Sequence, residues 1–184
     1  SNYLNTPIMG KQFSLPVNIK GISNITVYNN EKANINFTNA TNEKIGVVDG
    51  VLIDEIESGI AIFSKNGKPS DPIGYYIPDD NYSVVLSSIT DTSNLAYFSV
   101  FKPNVIYSYQ RENVNISQVD MFSIDTGFSV ISQDPADKQI NLTVVANLDS
   151  SERILFIDAT QLRQNDSLFV KENNQSEFVI KNFG

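Results

Sequence analysis

The 184-residue sequence predicts an all-β protein, a single β-sandwich. Three observations carry that prediction. Apolar side chains recur with period 2 along most of the chain, the spacing of strands with one buried face. Ile and Val together number 37 against 10 Leu and 7 Ala, a β-branched excess that favours pleated over helical backbone. Turn-forming dipeptides part the apolar runs at intervals of about 8–12 residues, a sandwich cadence rather than one of alternating strands and helices.

The elements follow in chain order. Phe13, Leu15, Val17 and Ile19 alternate with Ser14, Pro16, Asn18 and Lys20. After Gly21 comes Ile22 to Val27, and Ala33 to Phe37 alternates again. Val51 to Phe63 reads as one strand-like run, with Glu55 and Glu57 on one exposed face of it. Tyr82–Ile89, Leu95–Phe101 and Val105–Tyr109 are β-branched and aromatic runs, and Ile116 to Ile131 reads as two strands hinged near Asp125-Thr126-Gly127. Ile140–Ala146, Ile154–Ile157, Leu168–Val170 and Phe178–Phe183 complete the set, while Ala159 to Gln164 fits one helical turn. Asn29-Asn30, Asp49-Gly50, Asn66-Gly67, Asp79-Asp80-Asn81, Lys102-Pro103-Asn104 and Asp134-Pro135 mark the turns. The division expected is an N-terminal extension over residues 1–21 and one domain of about ten strands over residues 22–184.

Composition narrows the function. Cys, His and Trp are absent, which removes disulfides, thiolate metal sites, cysteine nucleophiles and the side chain most used for proton transfer near neutral pH. The net charge is −8 with 3 Arg, a poor match for a phosphate backbone, so no nucleic-acid partner is expected. The longest apolar runs are four or five residues, well short of the roughly 20 that a membrane helix needs. Phosphate loops, nucleophile elbows and dinucleotide fingerprints are missing too, so the chain reads as a non-enzyme without a bound cofactor or metal. Ser1 is not an initiator Met, so either the leader of a secreted protein has been removed or the sequence starts within a longer chain.

Asn is the outlier. There are 22, although Asn suits neither helix nor strand interiors. Eight head the pattern Asn-x-Ser/Thr: Asn24, Asn36, Asn39, Asn81, Asn115, Asn141, Asn165 and Asn174. Chance placement among 29 Ser or Thr gives about three to four. The excess, spread along the whole chain, points to N-linked glycans and an extracellular surface. The competing explanation is compositional drift of an AT-rich genome toward Asn, and Asn36, with alternating neighbours, suits a strand as well as a glycan.

Residues 1–21 hold two lysines and no acid, whereas the rest holds all 21 acids. Pro7 and Pro16 keep that segment extended and confine it to incomplete or edge pairing. An extended arm with alternating apolar residues buries them by joining a sheet, its own or a neighbour's. A basic arm ahead of an acidic body favours the neighbour. The weaker alternation of Leu4, Thr6 and Ile8 lengthens the candidate donor strand to Leu4, Ile8, Phe13, Leu15, Val17 and Ile19.

Other chemistry is thinner. Glu55 with Glu57, or Asp79 with Asp80, offers paired carboxylates for glycoside hydrolysis, but solvated charge explains them as well. Asp79-Asp80-Asn81, or Asp134 with Asp137, offers oxygen ligands without a calcium-loop pattern. Tyr107 and Tyr109 alternate as one face of a strand. Lys, Asn and Asp are all available for an isopeptide link within or between subunits, which the sequence does not place.

These features resemble the subunit of an archaeal surface filament, the thread, and more loosely the bacterial pilins joined by donor-strand complementation. The resemblance rests on the arm around Phe13, Leu15, Val17 and Ile19, on one all-β body from about Ile22 to Phe183, and on dense Asn-x-Ser/Thr sites in a chain without Cys. Many bacterial pilins of this architecture carry a disulfide, which this chain cannot form. The resemblance implies a pilin-like, immunoglobulin-like β-sandwich lacking one strand, which the next subunit's N-terminal donor strand supplies. Subunits then join head to tail into a glycosylated homopolymer serving adhesion or cell–cell contact, with any receptor unspecified. The alternative is a monomeric surface binding module: an adhesin, surface-layer or carbohydrate-binding domain.

Overall fold

A computed structural model describes residues 24–29, 33–65, 67–68, 71–88, 95–112, 118–135, 137–148, 151–172 and 177–183. The candidate donor strand, with Leu4, Ile8, Phe13, Leu15, Val17 and Ile19, lies outside the described residues.

The described residues form fifteen strands. These are β1 (Asn24–Asn29), β2 (Ala33–Thr38), β3 (Lys44–Val48), β4 (Val51–Asp54), β5 (Ile60–Ile62), β6 (Gly74–Pro78), β7 (Tyr82–Ser88) and β8 (Leu95–Phe101). They continue as β9 (Val105–Glu112), β10 (Val119–Ile124), β11 (Phe128–Ser132), β12 (Lys138–Leu148), β13 (Ser151–Leu162), β14 (Ser167–Glu172) and β15 (Phe178–Phe183). Two wholly antiparallel sheets result. Sheet A runs β13-β12-β9-β8-β1-β6-β5 and sheet B runs β15-β14-β11-β10-β7-β2-β3-β4. The all-β sandwich expected from the period-2 pattern is the architecture observed.

Local chemistry explains the hairpins. Asp49 and Gly50 both take positive φ, 51° and 76°, which is the two-residue turn whose twist matches its strands, and Val48 pairs with Val51 across it. Gly46 lies in β3 at φ 139°, where a Cβ would stand 2.3 Å from the Ile35 carbonyl oxygen. Glycine there lets β3 lie flush against β2. The Asp125-Gly127 hinge joins β10 to β11, with Asp125 Oδ1 accepting the Gly127 N–H at 3.0 Å.

Strands outnumber the ten expected because short ones hide inside longer runs. Val51 to Phe63 is two strands, β4 in sheet B and β5 in sheet A, joined by a crossing segment. Glu55 and Glu57 lie in that crossing, so they do not share a strand face. Ala159 to Gln164 is not a helical turn. Its first four residues continue β13, because Gln161 and Leu162 pair with Gln139 and Lys138 of β12. Ladder pairing overrides the local helical preference of Ala, Gln and Leu.

The core lies between the inner faces. Phe98 and Tyr109 from sheet A meet Phe122 from sheet B edge-on, at centroid distances of 4.7 and 4.8 Å, and Tyr107 stacks on Phe128 at 5.3 Å. On the far side Phe37 of β2 packs on Tyr75 of β6, whose hydroxyl donates to the Ile35 carbonyl at 3.3 Å. These cross-sheet contacts align the layers. β9 lies over β11 and β6 over β2, so β13 and β15 share one flank while β4 and β5 share the other.

Candidate functional site

The flank bearing β4 and β5 is closed. The chain itself crosses between the sheets through residues 55–59, and Ile56 plugs the gap at 5 % exposure. Leu52 and Ala61, the inward residues of the two edge strands, are half-buried and pack on the core on either side of it. Glu55 seals the corner: its N–H donates to the Lys44 carbonyl at 2.8 Å, and its Oε2 accepts the Lys44 N–H at 3.0 Å.

The flank bearing β13 and β15 differs. β13 is twelve residues long and pairs only with β12 among the described residues; β15 pairs only with β14. Each leaves an outer row of backbone groups without a ladder partner there, the usual template for strand addition. Inward-pointing side chains on this flank are incompletely covered. Leu155 and Ile157 stand opposite the buried Val144 and Leu142 and are half-buried against the core, as Leu52 and Ala61 are on the other flank. Ile180 stands opposite the fully buried Val170 and is 48 % exposed. Phe178 is likewise half-buried against the core. Four apolar side chains from two facing edges thus border one incompletely closed seam. The outward residues Ile154, Phe156 and Phe183 are exposed on the same strands.

Six of the eight Asn-x-Ser/Thr asparagines fall among the described residues. Asn81 and Asn165 are exposed on turns, Asn165 at φ 69°, a left-handed conformation that Asn tolerates. Asn39 is half-buried at the β2–β3 turn, where its Oδ1 accepts from the N–H groups of Thr41 and Glu43 and its Nδ2 donates to Glu43 Oε2 at 2.8 Å. Asn24, Asn36 and Asn141 are half-buried on outward faces of strands; Asn24 Nδ2 donates to the Tyr76 hydroxyl, and Asn141 sits at the β12–β13 register shift. Asn115 and Asn174 lie outside the described residues.

The paired carboxylates do not converge on a cleft. Asp79 forms an ion pair with Lys102 at 2.9 Å, and Asp80 Oδ1 accepts the Asn81 N–H at 2.7 Å. Asp134 turns inward, away from Asp137. Among the described residues no group of three acids is placed to hold a metal ion. Tyr107 and Tyr109 are both buried, and burial raises both hydroxyls, Tyr107 to about 12 and Tyr109 well above its ordinary value, with Asp120 beside it adding to the rise.

One cluster escaped the sequence reading. Arg111 Nε donates to Asp120 Oδ2, Tyr109 donates to the same oxygen at 2.9 Å, and Lys138 Nζ reaches both Asp120 Oδ1 and, at 2.5 Å, Asp134 Oδ2. The side chains of Arg111, Asp120 and Lys138 are wholly buried. Their signal was phase: Arg111 alternates with Tyr107 and Tyr109, Asp120 with Phe122 and Ile124, Lys138 with Ile140 and Leu142. A charge on the apolar phase of three strands marks an internal polar cluster.

The chain matches no family model, no curated protein and no solved structure. Among the described residues no helix is long and apolar enough to cross a membrane.

Proposed function

We propose that the protein is the structural subunit of an extracellular, glycosylated filament, joined head to tail by donor-strand complementation and serving adhesion or cell–cell contact. The observation that carries this reading is the β13/β15 flank, above all Ile180, a core-phase residue left 48 % exposed. An alternating strand laid along this seam would cover Leu155, Ile157, Phe178 and Ile180 and satisfy an edge ladder. Phe13, Leu15, Val17 and Ile19 of the next subunit supply the matching period. Four such side chains buried at about 1.5–3 kcal/mol each amount to a gross gain of roughly 6–12 kcal/mol, before ordering costs. A contact between an arm and a different surface of the next copy does not close on itself, so it grows a filament. The subunit has no catalytic role in this reading, and glycans cover it at exposed sites such as Asn81 and Asn165.

Electron microscopy of the full chain and of a chain lacking residues 1–20 tests it. Filaments from the full chain and folded, non-polymerising truncated protein are expected. Filaments from the truncated protein would overturn donor-strand assembly. Intact-mass measurement of the native protein should exceed 20.5 kDa by several glycans, and a mass equal to that value would remove the glycan coat.

A further inference from the structure

From the buried cluster at one end of the sandwich we infer an autocatalytic isopeptide bond, Lys138 Nζ to Asp120 Cγ, with Asp134 relaying the protons. This is independent of how subunits assemble.

The geometry contains each part that the condensation needs. Lys138 opens β12 in sheet A and Asp120 lies in β10 of sheet B, so nucleophile and electrophile meet across the sandwich. Nζ touches Asp120 Oδ1, and both side chains have no exposed surface. Asp134, 2.5 Å from the same nitrogen, is steadied on its other side by the Val119 N–H, which donates to Oδ1 at 3.1 Å. Arg111 Nε and the Tyr109 hydroxyl both converge on Oδ2 of Asp120, where negative charge would develop in a tetrahedral intermediate. Aromatic rings wall the site: Tyr109 packs on Phe122 and Phe98, keeping water from competing.

The step balances without a co-reactant. Asp134 carries a proton from the Lys138 ammonium to Asp120 Oδ1. The freed amine lone pair attacks Cγ, and Oδ2 holds the charge between Arg111 and Tyr109. Asp134 takes a second proton from nitrogen and passes it to Oδ1. The Cγ–Oδ1 bond then breaks and water departs. One proton stays on the amide nitrogen, two leave in the water, and Asp134 ends as it began. Ser132, paired opposite Asp120, has a buried hydroxyl without a hydrogen-bond partner among the described residues, so a polar group is at hand for the departing water. Two cations and two anions held out of solvent are expensive to desolvate even when paired. Condensation replaces one of each with a neutral amide, which favours the product. Asp120 rather than Asp134 is the acyl partner, because Arg111 and Tyr109 converge on its oxygen.

Peptide mapping of the full-length, deglycosylated protein decides. Trypsin should leave residues 112–153 uncut at Lys138 and lighter by one water. Cleavage before Asp125 should leave the two halves joined. Asp134→Asn, which keeps shape but cannot relay protons, should leave the peptide open or link it at least about tenfold more slowly. Tryptic cleavage at Lys138 in the folded wild type would overturn the inference, as would halves that separate on Asp125 cleavage. Full, undelayed linkage in Asp134→Asn would overturn the relay role. If that variant does not fold, the wild-type map still decides the bond.

Discussion

The two flanks of the sandwich pose one problem, how to end a pair of stacked sheets, and solve it differently. At β4 and β5 the backbone crosses from sheet to sheet and drops Ile56 into the gap, so edge and core are sealed by adjacent sequence. At β13 and β15 no described segment crosses along the strands, and Ile180, in the phase to be buried, remains 48 % exposed. The difference teaches that exposure has to be read against register. Val51 is more exposed than Ile180, at 64 % against 48 %, but it points away from the core and asks for nothing. Ile180 points into the sandwich, and no described strand covers it.

The sharpest way to break the comparison is charge at the open flank. Ile180→Asp should abolish filament formation in electron microscopy, while the monomer's urea midpoint moves by less than about 1 kcal/mol-equivalent, since the site is half solvated already. Filaments formed by this variant would show that the seam is not the acceptor. Next in size is the closed flank. Ile56→Ala should cost about 2–5 kcal/mol of monomer stability in urea denaturation, the range for opening a cavity under a buried Ile. It should leave assembly intact at temperatures where the subunit is folded.

Alkaline titration compares the core beneath the flanks. Tyr82, nearer the closed side, is pushed up to about 12 by burial and then by Asp80 and Asp79. Tyr107, nearer the open side, reaches about 12 through burial and then Glu172 and Asp125. The folded state therefore holds these phenolic protons more tightly than the unfolded chain, whose tyrosines ionise near 10.0. Their contribution to stability is complete below about pH 10 and is lost as pH rises toward 12. Urea midpoints should be level up to about pH 9 and then fall. Phenolate absorbance that develops earlier from Tyr107 than from Tyr82, separated by Phe replacements, would show that the open flank breathes. The smallest effect belongs to Phe156→Ser. At 63 % exposed and outward-facing, it should change monomer stability by no more than about 0.5 kcal/mol and leave assembly unchanged. Lost assembly would move the contact to the outer face of sheet A.

Much of the fold was legible because strands write their burial in alternate residues. Val84 and Leu86, or Leu142 and Val144, announce their face, and Asp49-Gly50 announces its turn. The short strands were not legible. Gly74-Tyr75-Tyr76-Ile77-Pro78 has no clean alternation, and its role as neighbour to β1 depends on Tyr75 meeting Phe37, a contact between residues far apart in sequence. The helical turn expected at Ala159 failed for a similar reason, since a distant strand dictates its backbone. Exposed Asn81 was readable as a turn asparagine. The seam was not readable, because Leu155 and Val144 have equal claims to burial until the sheet order makes one an edge. The charged cluster was readable in phase but not in partner, since nothing in the spacing pairs Lys138 with Asp120.

The first described strand, β1, lies inside sheet A, whereas the last, β15, ends sheet B. In a filament of the kind proposed, tension enters a subunit through the arm leading to β1 and leaves where the next arm grips β13 and β15. Part of that load passes from one sheet to the other, a direction in which no backbone ladder resists. Beside the covalent crossings of the chain, side-chain packing, the Tyr75–Ile35 hydrogen bond and the group around Asp120 oppose sliding. The buried charges thus stand where a rivet would be set in a two-plate joint, near the end where β9, β10 and β12 meet, and add to the joint's resistance to shear.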